Sequence, residues 1–122
     1  QAVLHQRLEG TGIYLEVALS EAAAYLALPR TWGLTLPDAP VGGAHAGYRV
    51  YPCADGRVAL AALEPHFAAR LCAAVGVALQ SPQDMLLPAT HAAVAAFLQG
   101  QTRAALDALA RDKDIPLHTL PP

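Results

Sequence analysis

YRVYPCADGRVALAALEPHF, residues 48–67, carries the reading of the fold. At its centre the Asp55-Gly56 pair stands between two runs rich in β-forming side chains. Such a pair between strands marks a tight hairpin. The sequence therefore predicts a strand over residues 48–52 and another over 57–63, with Ala54-Asp55-Gly56 turning between them. Glu64-Pro65 then predicts a helix start, because a proline at the first helical position gives up an N–H that would have no partner there. Phe67, Leu71, Ala74 and Val75 recur at helical spacing and make one apolar face, which Gly76 ends.

Working outward, residues 77–88 read as a loop and a helix runs from Thr90 through Leu98, stopped by Gly100. Thr102 caps a last helix through Arg111, with Leu106, Leu109 and Ala110 inward. Residues 115–120 form a short extended closing segment. On the other side, residues 37–47 hold Pro37, Pro40, Gly42, Gly43 and Gly47, so turn chemistry dominates. Residues 2–9 read as the tail of a helix stopped by Gly10-Thr11-Gly12. Ile13, Tyr14, Leu15 and Val17 predict a short strand over 13–19. Ser20 is the expected N-cap of a helix over 21–28, with Glu21 in its first turn and Pro29 at its end. That helix is apolar nearly all round, so it should be buried or packed on a partner.

The expected class is α+β: a short antiparallel hairpin or sheet packed with several helices. Nothing repeats βαβ units, so a complete parallel-sheet domain is not expected. Residues 1–36 read as a strand–helix segment, 37–47 as a glycine-containing linker and 48–122 as a small α+β domain.

Hydrophobic residues make up 54% of the 122 and charged residues only 15%, which excludes a disordered chain and hints at surface covered by something beyond its own core. The eight Lys and Arg do not cluster, so no nucleic-acid footprint is expected. No apolar run reaches the roughly 18 residues of a membrane helix, and no signal peptide is visible. Cys53 and Cys72 read as reduced thiols of a cytoplasmic protein. The five histidines lack metal-ligand spacing, and there is no G-x-S-x-G and no P-loop.

The block from Gly42-Gly43 to Tyr51, then Ala54-Asp55-Gly56-Arg57, then Ala62-Leu63-Glu64-Pro65 and Phe67, resembles the family III CoA-transferases of the CaiB/BaiF type. Leu71-Cys72, Val75-Gly76, Thr102-Arg103 and Asp114-Ile115-Pro116-Leu117 are similar to the segments that follow in that family. The resemblance covers most of the chain, and its Glu-Pro-x-Phe form is nearer the 2-methylacyl-CoA racemase branch. It implies a protein several times longer, whose large Rossmann-like domain binds CoA and carries an aspartate nucleophile, and whose subunits interlock as dimers. The present residues would be its C-terminal, small-domain part and lack the nucleophile. No covalently bound cofactor is implied. A coenzyme A thioester is the implied substrate, and a homodimer or the missing large domain the implied partner.

The resemblance also implies that Glu64 partners a catalytic histidine, where a carboxylate would fix the imidazole tautomer and stabilise the imidazolium. Glu64 equally reads as the cap of the helix that Pro65 opens. Gly42, Gly43, His45 and Tyr48 are the expected substrate-binding residues, since glycines let backbone approach a ligand closely. The same loop also reads as a flexible connector, with His45 solvated. Tyr48 and Tyr51 should face opposite sides of one strand, with at least one in the core. Asp55 reads as a turn residue. The expected function is a part of an acyl-CoA transferase or racemase, inactive alone, or a non-catalytic module binding acyl-CoA or a protein.

Overall fold

The structure, a computed structural model, describes residues 2–122. It divides into two compact units, one ending at Trp32 and the other spanning Gly33–Pro122.

The first unit holds helices α1 (Ala2–Glu9), α2 (Leu19–Leu26) and α3 (Leu28–Thr31). The strand expected over 13–19 does not form; residues 12–18 have no regular structure. A strand needs a neighbour for its ladder of N–H and C=O groups, and none lies beside this segment among the described residues. The capping role expected of Ser20 falls instead to Ala18, which has no side-chain acceptor. Glu21 and Ala22 donate their N–H groups to the Ala18 carbonyl, which places Ser20 inside the first turn. Pro29 ends α2 and serves in the first turn of α3, where no N–H is required of it. No described residue of this unit is buried, and Tyr25 and Leu26 of α2 are exposed. Short helices joined by irregular chain offer no second layer to cover the apolar face.

The second unit is built on the hairpin. Strands β1 (Val50–Cys53) and β2 (Gly56–Leu60) pair antiparallel, and β3 (Leu117–Leu120) pairs antiparallel with β2. The class is α+β, as the sequence implied. Cys53 faces Gly56, so Ala54 and Asp55 alone make the turn and Gly56 is already the first residue of β2. A Cβ on Gly56 would stand 2.5 Å from the Leu120 carbonyl oxygen, so this glycine admits a close approach of backbone rather than a turn. The strands are shorter than the sequence suggested: Tyr48 precedes β1, and residues 61–63 follow β2 as coil.

Three helices complete the unit, α4 (Pro65–Val75), α5 (Pro88–Gln99) and α6 (Arg103–Lys113); α5 and α6 lie against the sheet and α4 packs on α5. Gly76 closes α4 at φ 81°, and α5 opens at Pro88, again with proline at the helix start. The two segments read as loops each hold a short 3-10 turn, Pro40–Gly42 and Pro82–Leu86. Alternation along the strands sends Tyr51, Cys53, Val58 and Leu60 inward and leaves Val50, Pro52 and Arg57 out. The inward set packs with Leu71, Met85, Val94, Leu98 and Leu106 as one core. Leu109 and Ala110 are only partly buried. Both cysteines are free and buried. Among the described residues no helix is long and apolar enough to cross a membrane.

Candidate functional site: a cleft beside His45

The loop before β1 is not a loose connector. The Ala46 N–H donates to the Met85 carbonyl at 2.8 Å, and the Ala62 N–H donates to the Gly47 carbonyl at 2.7 Å. The Tyr51 hydroxyl donates to the Ala46 carbonyl at 2.9 Å. Nε2 of His91, on α5, lies 2.7 Å from the Ala44 carbonyl. His45, Ala46 and Gly47 are consequently buried, and His45 keeps only 8% of its surface exposed.

These bonds fix ring tautomers. A carbonyl can only accept, so His91 carries a proton on Nε2 and turns Nδ1 toward the Tyr51 hydroxyl at 3.4 Å. Nδ1 of His45 accepts the Gly47 N–H at 3.0 Å, so a neutral His45 carries its proton on Nε2. Burial, helped by the charge His91 can carry, holds His45 below the ordinary imidazole pKa and keeps the ring neutral. The turn back onto Nδ1 depends on Gly47: a Cβ there would stand 2.5 Å from the Ala62 carbonyl oxygen and 3.2 Å from Nδ1 itself.

His45 forms part of the wall of a cleft of about 170 Å³. Leu63, Pro65, Ala68, Leu79 and Met85 give it apolar sides, with Gln80 and Ser81 at the edge. The 3-10 turn that supplies Met85 is held by Asp84, whose Oδ2 accepts the N–H groups of Gln80 and Ser81 at 2.8 and 2.9 Å. Those backbone donors hold the Asp84 carboxyl below the usual carboxylate range.

The residues singled out from the sequence do not converge. Gly42, Gly43 and Tyr48 line a different groove, with Val50, Ala59 and Ala61 on the outer face of the sheet. A Cβ on Gly42 would collide with the Leu36 carbonyl, so chain folds tightly under that groove. His45 belongs to the cleft, not to the groove, and is buried rather than solvated. Glu64 lines neither: it is exposed, and its side chain makes no capping bond although it stands at the N-cap of α4. Tyr51 is the core tyrosine and Tyr48 is outside the strand, so no two-sided pair exists. Sequence reasoning missed Tyr51, His91 and Met85 as the groups that hold the loop. His91 is 47 residues from the carbonyl it binds, and no local pattern announces that contact.

No aspartate or glutamate lines the cleft or the groove. Asp55 accepts the Arg103 N–H, Asp107 accepts the Thr119 hydroxyl, and Asp114 pairs with Arg70. Among the described residues no group of three His, Cys, Asp or Glu could hold a metal ion. The arrangement can grip a small molecule and offer it a hydrogen bond, but it presents no carboxylate nucleophile.

The sequence model of the family described as CoA-transferase family III matches residues 1–120. No curated protein matches the chain.

Proposed function

The chain belongs to CoA-transferase family III, and from that membership we propose that it serves acyl-CoA chemistry with a reacting carboxylate supplied from outside these 122 residues. The observation that carries the second half is the lining of the cleft beside His45 and of the groove beside Tyr48, neither of which holds an aspartate or a glutamate. Acyl transfer through a covalent intermediate needs such a nucleophile within reach of the thioester carbonyl. The full reaction is either transfer of CoA between carboxylates or racemisation of a 2-methylacyl-CoA, as in the branch that the Glu64-Pro65-x-Phe67 sequence resembles. In the racemase form Glu64 orients an imidazole brought by another part of the enzyme. Its exposure at the start of α4, free of any capping duty, supports that role. The exposed apolar side chains of α2 favour a covering partner, either a second copy or the family's large domain.

The test is α-proton exchange. The chain is incubated with a 2-methylacyl-CoA in heavy water and deuterium incorporation is followed by mass spectrometry. No incorporation is expected from the chain alone. Incorporation that disappears in Glu64→Ala would mean that these residues build a complete site, and the proposal would fall.

A further inference from the structure

We propose that His45 is an acid-released latch on the cleft: its neutral ring pins the 45–47 turn and closes one wall, and on taking a proton the ring swings out and opens that wall.

The latch rests on one acceptor. Nδ1 of His45 holds the Gly47 N–H at 3.0 Å, and it can do so only while that nitrogen carries no proton. Protonation sets one N–H against another, so the bond is lost and the ring must turn. The surroundings then favour its exit. His45 is only 8% exposed, so little water reaches a charge placed there. The groups around the loop offer that charge no free anion. From α5 comes His91, whose charge has the same sign. From β1 comes Tyr51, whose hydroxyl burial keeps protonated, with the Arg49 cation beside it. From α4 come the Cys72 thiol, which burial also keeps protonated, and Glu64 and His66, which are exposed and outside the cleft. From the 3-10 turn comes Asp84, whose carboxylate is taken up by the N–H groups of Gln80 and Ser81 and by the Ser81 hydroxyl. A proton therefore binds the released ring more readily than the latched one, and acid favours release.

The opening is local. The Ala46 N–H on the Met85 carbonyl, the Tyr51 hydroxyl on the Ala46 carbonyl and the Ala62 N–H on the Gly47 carbonyl involve no group that changes charge in weak acid. These bonds hold the rest of the loop while the ring departs, and the sheet beyond stays paired. The wall that opens is the one His45 shares with Leu63, Pro65, Ala68 and Met85. The device makes entry to the cleft depend on pH whatever enters it. It goes beyond the acyl-CoA reading, since it requires neither coenzyme A nor Glu64.

The test is amide hydrogen exchange and ring-nitrogen NMR on the intact chain, from about pH 8 to 4, with exchange corrected for its intrinsic pH dependence. Protection of the Gly47 amide should fall at least tenfold in acid while Val58 and Leu60 in β2 keep theirs. The His45 ring signals should change with the same midpoint. In His45→Asn the side-chain oxygen stands where Nδ1 stood and does not titrate, so Gly47 should stay protected throughout. The ring signals of the unaltered chain decide the matter without that variant. Loss of Gly47 protection at a midpoint that is not that of His45, loss only together with Val58 and Leu60, or the same loss in His45→Asn overturns the proposal. So does a Gly47 amide that stays protected after His45 has taken its proton.

Discussion

Asp55, at the tip of the hairpin, accepts the backbone N–H of Arg103 at 2.7 Å, so the β1–β2 turn also closes the first turn of α6, 48 residues away. The Ala54 N–H adds a bond to the Gln101 carbonyl at 2.9 Å, and Thr102 accepts the Ala105 N–H. The ion pair between Asp55 and the Arg103 guanidinium, at 3.6 Å and half exposed, adds little. The backbone bond is the part that matters, because a first-turn N–H of a helix has no partner inside the helix. Asp55→Ala should therefore destabilise the second unit by about 1–2 kcal/mol, and Asp55→Asn, which keeps the acceptor, by less than half of that. Urea unfolding followed by circular dichroism separates the two. Equal losses would show that charge, not the cap, is what Asp55 supplies.

The hairpin, α4 and α6 were legible because each rests on a local rule: a turn pair, a proline at a helix start, a threonine cap. The strand expected at 13–19 was not, since β-forming side chains state a preference and only a neighbouring strand can satisfy it. The site was legible in part. His45 stood out as the histidine of a glycine loop, yet its burial follows from His91, Tyr51 and Met85, which bond its neighbours Ala44 and Ala46 from 5 to 47 residues away. Glu64 could be read as a cap from its position, but position does not decide which way a side chain turns.

Tyr51 and His91 hold adjacent parts of one loop, and they should behave as a coupled pair. Tyr51→Phe leaves the Ala46 carbonyl without its buried donor, and His91→Leu does the same to Ala44. Each loss should be about 1–2 kcal/mol. The double variant should lose less than the sum, because once the loop is released the second anchor holds nothing. Additive losses in chemical unfolding would mean that the two bonds act on separate structures.

Acid should weaken the second unit in two separate windows. The folded state binds a proton at His45 less readily than the unfolded chain does, because burial opposes the charge. That contribution to stability is complete above the ordinary imidazole value of about 6.5 and is lost as pH falls through it and on toward the lowered folded value. Asp84 acts in the same direction lower down: its backbone donors favour the carboxylate, so its contribution fades only as pH falls below the ordinary carboxylate range. His45→Asn should flatten the slope of stability just below the ordinary imidazole value of about 6.5 and leave the lower window in place. An unchanged slope would assign the upper window to another histidine.

The two thiols should be silent in the folded chain. Cys53 and Cys72 are both buried, and Cys72 lies with its sulfur 3.4 Å from that of Met85. Burial, with the nearby charge of Asp84, pushes the Cys72 thiol above its ordinary pKa, so the reactive thiolate is scarce as well as shielded. A disulfide-exchange reagent at neutral pH should therefore label Cys72 only through opening of the core, at a rate that follows unfolding and rises with urea. Intact-mass measurement should find two free thiols per chain after full denaturation. Rapid labelling of Cys72 in native buffer would mean that the packing of α4 against the Met85 turn opens far more often than the rest of the core, and the cleft beside His45 would then be a fluctuating space rather than a formed one.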